Sequence, residues 1–205
     1  MKFTVAIDGP AASGKGTISR RISEYFGFSY LDTGLIYRFI GLKVLSGFDP
    51  LEAIAQLNYD EIEVEGLRTE AVSKMASQIA SDIKVRNALV EYQREFSRRC
   101  GGAVLDGRDI GTVICPNAEI KLYITASEEI RANRRFQELA EKDKGLTIEA
   151  LIVELRARDL ADKERKVSPL LKAEDAVLLD TTELSIDASV ALAVNAISKV
   201  IRLST

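Results

Sequence analysis

A glycine-rich segment near the N-terminus constrains the fold of this chain more than any other feature. Residues 9–17 read GPAASGKGT; they follow the apolar run Phe3–Ile7 and precede Ile18, Ile22 and Phe26 at helical spacing. This order predicts a strand, a loop and a helix. A loop of this kind presents backbone N–H groups to a ligand at the positive end of the helix dipole, which is an arrangement that binds polyphosphates.

Lys15 supplies the candidate charge of this loop, because its ammonium can reach the β- and γ-phosphates of a nucleotide. The strict pattern G-x-x-x-x-G-K-[ST] fails by one place, since Gly16 follows the lysine and the hydroxyl comes at Thr17. A glycine-rich turn without a ligand is the alternative interpretation. The predicted strand before the loop and the predicted helix after it favour phosphate binding.

The rest of the chain alternates short apolar runs with longer amphipathic stretches. Strands that alternate with helices predict an α/β fold with a mostly parallel sheet, whose ligands bind at the carboxyl ends of the strands. The further candidate strands are Phe28–Leu31, Ala103–Leu105, Ile120–Ile124 and Ala176–Leu179. Side chains able to cap a helix predict helix starts after Asp49, Thr69, Ser127, Thr147 and Ser185.

The length of 205 residues predicts a single domain. The segment 34–100 is mainly helical, apart from a possible strand at Glu61–Glu65, and it is long enough to form a lobe. Residues 142–166 are too charged to belong to a core. Both segments are therefore expected to lie outside the central sheet.

The composition excludes several classes of function. No histidine is present, which excludes Ser/His/Asp and Cys/His catalysis and histidine-based zinc sites. The net charge of −3 provides no basic field for a nucleic acid polymer. No stretch approaches the roughly 18 apolar residues of a membrane span, so we expect no membrane partner. The two cysteines, Cys100 and Cys115, fit a reducing compartment, and we expect a cytoplasmic protein.

Two further motifs follow predicted strands. The first, YLDTGLIYR at residues 30–38, ends in an arginine whose planar guanidinium suits a phosphate. A helix start with surface side chains explains this motif equally well. The second, LDGRDIG at residues 105–111, places Arg108 between Asp106 and Asp109. Two carboxylates that flank an arginine at a strand end are difficult to explain by packing, although a salt-bridged structural turn is an alternative.

Arginine-rich segments at residues 131–135 (RANRR) and 156–165 (RARDLADKER) form the last candidate. Between residues 131 and 166 there are 10 basic and 8 acidic side chains, so a solvated, salt-bridged pair of helices is one interpretation. The functional interpretation is a lid over phosphates. Without histidine, phosphoryl transfer depends on positioning and on neutralising the charge of the phosphate oxygens, which arginines can provide.

Taken together, these segments resemble the bacterial cytidylate kinases. The matching segments, in order between residues 5 and 189, are DGPAASGKGT, LDTGLIYR, MASQIASDIKVRNAL, DGRDIGTVICP and RDLADKERKVSPLLKAEDAVLLDTTELSI. The resemblance implies a P-loop nucleoside monophosphate kinase fold, with a five-stranded parallel sheet, flanking helices, a helical monophosphate-binding lobe and a mobile lid. It also implies transfer of the γ-phosphoryl group of ATP to CMP or dCMP with Mg²⁺, and we expect a monomer. The expected divisions are a core at 1–33, 101–141 and 167–205, a lobe at about 34–100 and a lid at about 142–166.

The resemblance also implies roles for individual residues. The ATP phosphates are expected at Gly9, Pro10, Ala11, Ala12, Ser13, Gly14, Lys15, Gly16 and Thr17. For CMP, the phosphate is expected at Arg38, Arg108 and Arg165, the base at Ser77, Arg86 and Asp109, the sugar at Arg158 and Asp162, and the remaining lining at Thr33, Tyr37 and Asp106. The implied catalytic residues are Lys15, Arg108, Arg158 and Arg165, and no side chain is assigned to a metal.

The base assignment also has a chemical reason. Cytosine carries an amino donor beside the acceptors N3 and O2, so its recognition needs both an acceptor and a donor. Asp109 can accept from N4, and Arg86 can donate to N3 and O2. Uracil reverses this pattern at two positions, and each buried group left unpaired costs ~1–3 kcal/mol. The pair therefore predicts a preference for cytosine over uracil.

Two other functions remain open on the sequence alone. The chain could be a kinase for another small acceptor, such as another monophosphate or a polyol acid. It could also be a P-loop switch protein that hydrolyses its nucleotide slowly. A switch needs no acceptor site, so it is disfavoured by the second-substrate residues Arg38, Arg86, Asp109 and Arg158.

Overall fold

A central sheet of five parallel strands organises the residues that the structure describes. The structure is a computed structural model, and it describes residues 2–62, 66–67, 69–140 and 144–204. The strands are β1 (Thr4–Asp8), β2 (Ser29–Asp32), β3 (Ala103–Gly107), β4 (Ile120–Thr125) and β5 (Val177–Asp180). Their order is β2-β3-β1-β4-β5, and each neighbouring pair is parallel. The predicted α/β fold with a parallel sheet is confirmed, and every strand lies within two residues of its predicted run.

The helices begin where the capping residues predict. The side chains of Asp49, Thr69, Ser127, Thr147 and Ser185 each accept a backbone N–H of the helix that follows. Each cap satisfies a donor that the first helical turn leaves unpaired. The helices are α1 (Lys15–Phe26), α2 (Thr33–Leu45), α3 (Pro50–Ala55), α4 (Glu70–Ile79), α5 (Ile83–Ser97), α6 (Glu128–Leu139), α7 (Ile148–Glu164) and α8 (Ile186–Ser204).

Helices cover both faces of the sheet, and the alternation of side chains along β1 determines which face each residue joins. Val5 and Ile7 pack with Ile22 of α1 and Ile197 of α8, and all four are fully buried. Ala6 faces the opposite side, where α2 and α5 cover the sheet. Burial on both faces is typical of parallel strands and explains their continuous apolar runs.

The carboxyl ends of the strands bring the sequence motifs to one edge of the sheet. β1 leads into the glycine-rich loop, β2 leads into α2, and β3 leads into a single π-helical turn at residues 110–114. The strand register pairs Asp8 with Gly107 and Asp32 with Asp106. Motifs that are far apart in the sequence therefore lie side by side.

Helices α2 to α5 occupy most of the segment predicted to form a lobe. α2 packs closely on α4 at Gly41, where a Cβ would lie 3.1 Å from the nitrogen of Ala76 and 3.3 Å from the carbonyl oxygen of Val72. A 3₁₀ turn occupies Tyr59–Glu61, at the start of the possible strand Glu61–Glu65. Residues 63–65 of that run lie outside the described residues. The division into core, lobe and lid remains a prediction.

One face of α7 corrects the expectation for residues 142–166. The sequence predicts that this segment is too charged for a core, but Leu151 and Leu155 are buried with Ala132 of α6 and Ala11 of the glycine-rich loop. Residues spaced by three or four positions lie on one side of a helix, so a highly charged helix still presents an apolar stripe. Residues 142 and 143 lie outside the described part, and the mobility of the lid remains a prediction. Among the helices that are described, none is both long and apolar enough to cross a membrane.

Candidate active site

The glycine-rich loop is held from the protein side, which leaves its other side for a ligand. Gly9 packs on β4 so closely that a Cβ would lie 2.0 Å from the carbonyl oxygen of Ile124. The carbonyl oxygen of Ala11 accepts from Arg131 at 3.2 Å, and that of Ser13 accepts from Arg134 at 3.2 Å. These two bonds tie the loop to α6.

Helix α1 begins at this loop with a free N-terminus. Gly14, in the left-handed region at φ 85°, turns the chain into the helix, and no side chain caps the first turn. An uncapped N-terminus leaves donors that an anion can satisfy. The loop and the helix start line a cleft of about 270 Å³. Of the residues predicted to bind ATP, those that line it are Ala11, Ala12, Ser13, Gly14, Lys15, Gly16 and Thr17.

Gly9 and Pro10 are absent from the lining of this cleft, although the sequence analysis assigns them to ATP. Gly9 is covered by the backbone of β4. Pro10 instead lines a groove beside α6 and α7. Both residues therefore shape the loop from the side that faces away from the cleft. This distinction depends on strand packing, so the motif alone could not reveal it.

Lys15 lies in the cleft among charges of both signs. Burial and the nearby Arg108 guanidinium lower the pKa of Lys15 to about 8, although Asp106 and Asp32 favour its charged form. In the ligand-free protein, the charged form of Lys15 is therefore less favoured than the charged form of an ordinary lysine. An anion bound in the cleft would restore its pKa.

Asp106, which the resemblance assigns to CMP, lines the same cleft. Its carboxylate accepts a 2.5 Å hydrogen bond from the hydroxyl of Tyr30. Burial and the neighbouring Asp32 raise the pKa of Asp106 to about 6. In this cleft the side chain of Asp106 bonds to Tyr30 of β2 and lies near Lys15.

A smaller pocket of about 60 Å³ adjoins the cleft. It collects ten of the eleven residues predicted to bind CMP, all except Asp106. They come from α2, α4, α5, the turn after β3 and the region of α7. The ten are Thr33, Tyr37, Arg38, Ser77, Arg86, Arg108, Asp109, Arg158, Asp162 and Arg165.

An ion pair forms the inner end of this pocket. Arg86 and Asp109 are 3% and 6% exposed, and their side chains form a direct salt bridge. Arg86 also donates to the carbonyl oxygen of Ala80 at 3.0 Å, and the Tyr37 ring lies 5.9 Å from its guanidinium carbon. The end of the pocket thus offers a carboxylate acceptor, a guanidinium donor and an aromatic face. This combination suits a planar ring with donors and acceptors on its edge.

Three arginines form the wall between the two cavities. Arg38, Arg108 and Arg158 line both the cleft and the pocket. Arg108 donates to Asp162 at 2.8 Å, whereas Nε of Arg158 is buried and has no hydrogen-bond partner among the residues that the structure describes. Burial and the neighbouring cations lower the pKa values of Arg38 and Arg158 to about 10, so both remain charged at neutral pH. The wall concentrates positive charge where two anions could meet.

The third predicted catalytic arginine, Arg165, lines the smaller pocket and not the cleft. Its guanidinium is 3.9 Å from the carboxylate of Asp109, and it donates to the carbonyl oxygen of Ser168. Nη2 of Arg165 is buried and, within the described part of the chain, forms no hydrogen bond. This nitrogen lies near the Arg86–Asp109 ion pair at the inner end of the pocket, where the acceptor base is predicted to bind.

The comparisons with known proteins identify the family. The sequence model described as "Cytidylate kinase" matches residues 5–58 and 48–199, which is nearly the whole chain. The chain belongs to the cytidylate kinase family. The resemblance predicted from the sequence motifs is therefore confirmed.

Relatives in the cytidylate kinase family match over nearly their full lengths. The chain is 55% identical to a cytidylate kinase of Cereibacter sphaeroides over 197 residues, covering 96% of each sequence. It is 49% identical to a cytidylate kinase of Azorhizobium caulinodans, covering 92% of this chain and 95% of that protein. These lengths leave no large part of either relative unmatched.

A solved structure supports the fold. A gluconokinase from Sinorhizobium meliloti has a TM-score of 0.51 and 13% identity, covering 97% of this chain and 93% of that one. At this identity the likeness concerns the fold alone. For this cytidylate kinase family member it agrees with the parallel sheet and the flanking helices.

The cleft is also lined by nine residues to which the sequence analysis assigned no site role. They are Arg20, Tyr30, Asp32, Gly34, Leu35, Arg135, Glu138, Glu154 and Leu155. Asp32 is the last residue of β2, and a polar residue at the carboxyl end of a parallel strand is a signal that could have found it. Arg135 and Glu154 lie on α6 and α7, and only the packing of these helices brings them to the cleft.

Proposed function

We propose that this chain transfers the γ-phosphoryl group of ATP to CMP or dCMP, giving ADP and CDP or dCDP. The observation that carries this proposal is the wall of Arg38, Arg108 and Arg158 between a phosphate-binding cleft and a pocket with a base-recognition end. Two nucleotides that meet at such a wall bring their phosphates to the same positive charges. The cytidylate kinase relatives support cytosine as the acceptor base.

ATP binds in the larger cleft in this proposal. The N–H groups of residues 11–17 and the N-terminus of α1 hold its phosphates. Lys15 adds a cation toward the β- and γ-phosphates. These contacts orient the γ-phosphorus toward the arginine wall.

The acceptor nucleotide binds in the smaller pocket. Asp109 accepts from the cytosine amino group, and Arg86 donates to the ring acceptors, once the base enters beside their ion pair. Arg38, Arg108 and Arg165 hold the acceptor phosphate, and Arg158 and Asp162 lie beside the sugar. At these positions uracil has an acceptor where cytosine has a donor, and a donor where cytosine has an acceptor.

The reaction needs little proton chemistry from the protein. The attacking oxygen belongs to the acceptor phosphate and is already an anion, so no general base is required. The residues instead hold two polyanions together and neutralise the charge of the transferred group, which is the main requirement of phosphoryl transfer. This explains how a chain without histidine can be a kinase.

Mg²⁺ fits the oxygen groups of the larger cleft. Thr17, Asp32 and Asp106 line it together and offer a hydroxyl and two carboxylates, the ligand types that Mg²⁺ prefers beside substrate phosphates. We propose that these residues hold the ion, directly or through water. When bound with ATP, Mg²⁺ supplies charge neutralisation at the phosphates. In the residues that the structure describes, no cluster of three or more acidic or cysteine side chains could hold a metal alone.

The acceptor is tested by measuring ADP formation with CMP, dCMP, UMP, AMP and shikimate. We expect the highest kcat/KM with a cytidine nucleotide, and a value for UMP at least about tenfold lower because its base leaves buried groups unpaired. A better acceptor outside the cytidine nucleotides would contradict the proposal. ATP turnover that no acceptor changes would indicate a switch protein.

The lowered pKa of Lys15 predicts proton uptake when ATP binds. The pKa is about 8 in the ligand-free protein, and the phosphates raise it by stabilising the ammonium. Above pH 8, a large fraction of the ligand-free molecules therefore lack this proton and take it up when ATP binds. For this reason the affinity for ATP falls as the pH rises. Calorimetry at pH 8.5 in buffers of different ionisation enthalpy measures the uptake. A Lys15→Met variant should show less uptake than the wild type, and equal uptake would exclude Lys15 as its source.

We propose that the protein acts as a monomer in the cytoplasm, with ATP and a cytidine monophosphate as its partners. The small number of cysteines supports a reducing compartment. Light scattering on the purified protein tests the monomer, and a stable dimer at micromolar concentration would contradict it.

A further inference from the structure

Asp8 is a buried carboxylate that the proposed reaction does not use. It is the last residue of β1, it immediately precedes Gly9, and it is 4% exposed. Its Oδ1 accepts from the backbone N–H of Ile110 at 2.8 Å, and its Oδ2 accepts from that of Gly111 at 2.8 Å. Both donors belong to the turn that directly follows Asp109.

This contact holds the start of a turn whose far end is held by Arg94, which donates to the carbonyl oxygens of Val113 and Ile114 at 3.2 and 3.3 Å. Asp109 precedes a single π-helical turn at 110–114 and makes no side-chain cap to it. Ile110 and Gly111 are buried, so their N–H groups need an acceptor within the protein. Asp8 supplies both acceptors from a neighbouring part of the sheet. The orientation of the turn, and of Asp109 at its start, thus depends on β1.

Close packing leaves the turn little freedom to move. A Cβ on Gly111 would lie 3.1 Å from Cδ of Lys121 and 3.3 Å from Oδ2 of Asp8. The ammonium of Lys121 is in turn held by Asp175 at 2.9 Å. Burial raises the pKa of Asp8 to about 7, and the two N–H donors oppose this rise because they stabilise the carboxylate. The turn is therefore clamped between Asp8 and the stem of Lys121.

We propose that Asp8 is a positioning residue for recognition of the acceptor base. It holds the turn so that the Asp109 carboxylate faces Arg86 at the inner end of the pocket. Asp8 also directly precedes the glycine-rich loop. One residue therefore fixes the position of the phosphate cleft relative to the base-recognition end of the pocket. This inference rests on the proposed function, since it takes the base read by Asp109 to be cytosine.

The test is an Asp8→Asn variant assayed with CMP and UMP. The amide keeps the shape but retains only one acceptor oxygen, and its NH₂ group faces a backbone donor. We expect the KM for CMP to rise about tenfold and the CMP/UMP ratio of kcat/KM to fall about tenfold, because a misplaced Asp109 bonds the base less well. The KM for ATP should change by less than about twofold, because Lys15 and the loop N–H groups are retained. Loss of stability alone would not alter the CMP/UMP ratio.

Two variants keep this test decisive. Asp49→Asn makes the same change at an exposed carboxylate that also accepts two backbone N–H groups, those of Leu51 and Glu52, and it should leave all kinetic constants unchanged. Gly111→Ala presses a methyl group against Oδ2 of Asp8 and the Lys121 stem, and it should lower the CMP/UMP ratio in the same direction. If Asp8→Asn does not fold, the CMP/UMP ratio of kcat/KM for Gly111→Ala decides whether the turn positions Asp109.

The failures of the two proposals are distinguishable. A wild-type protein that is inactive on CMP would overturn the proposed function and this inference with it. A wild-type protein active on CMP, whose CMP/UMP ratio survives Asp8→Asn and Gly111→Ala, would overturn the inference alone.

Discussion

Replacing Lys15 with methionine is expected to lower kcat with ATP and CMP by about 10³-fold, the range found when one preorganised charge-stabilising group is removed. Lys15 lies in the cleft with the start of α1, and its pKa of about 8 shows that the ligand-free protein gains little from the ammonium. Methionine keeps the length of the stem but has no charge. We therefore expect the melting temperature of the ligand-free variant at pH 7 to equal or exceed that of the wild type.

Steady-state kinetics and thermal unfolding on the same samples check this result. Lys199→Met is a matched control, because Lys199 is an exposed lysine on α8, outside both cavities. It should have wild-type activity. Activity within about tenfold of the wild type in Lys15→Met would exclude the charge-stabilising role. Unfolding of the variant at room temperature would show that Lys15 is structural instead.

Replacing Asp109 with asparagine is expected to weaken the preference for cytosine over uracil at the base-recognition end of the pocket. The asparagine NH₂ group would face the cytosine amino group, whereas it could donate to O4 of uracil. We expect kcat/KM for CMP to fall about 10²-fold or more, and the CMP/UMP ratio to fall further, because a donor facing a donor leaves both unpaired. The buried Arg86 also loses its anionic partner, so the melting temperature should fall.

Assays with CMP and UMP and a thermal melt of each variant measure both effects. Asp82→Asn provides the control on the same helix as Arg86, since Asp82 is an exposed cap of α5 and asparagine caps equally well. An Asp109→Asn variant with a reduced melting temperature but an unchanged CMP/UMP ratio would remove Asp109 from base recognition.

Local sequence signals were enough to predict the sheet and the motifs at its edge. Apolar runs bounded by polar residues define the strands, and a capping side chain such as Thr147 marks each helix start. Parallel strands then bring the motifs at residues 9–17, 30–38 and 105–111 together without further assumption. These features depend on neighbours in the sequence, so a single sequence contains them.

The features that could not be predicted depend on contacts between distant segments. Asp106 was grouped with the acceptor residues, but its bond to Tyr30 places it on the cleft side. Pro10 was grouped with the phosphate loop, but it faces the groove beside α6 and α7. The bonds of Asp8 to residues 110 and 111 span more than 100 positions of the chain. No motif spacing encodes such partners.

The arginine wall has a consequence for the stability of the protein. Arg38 and Arg158 are held near Arg108, and of the three only Arg108 forms a salt bridge among the residues described, with Asp162. The ligand-free fold is therefore electrostatically incomplete, and the nucleotides are its missing counter-ions. Because anything that binds the folded state alone stabilises it, the two substrates act as reversible structural components of the protein as well as reactants. The melting temperature should therefore rise with the nucleotide concentration. High salt should make this rise smaller, because it screens the charges.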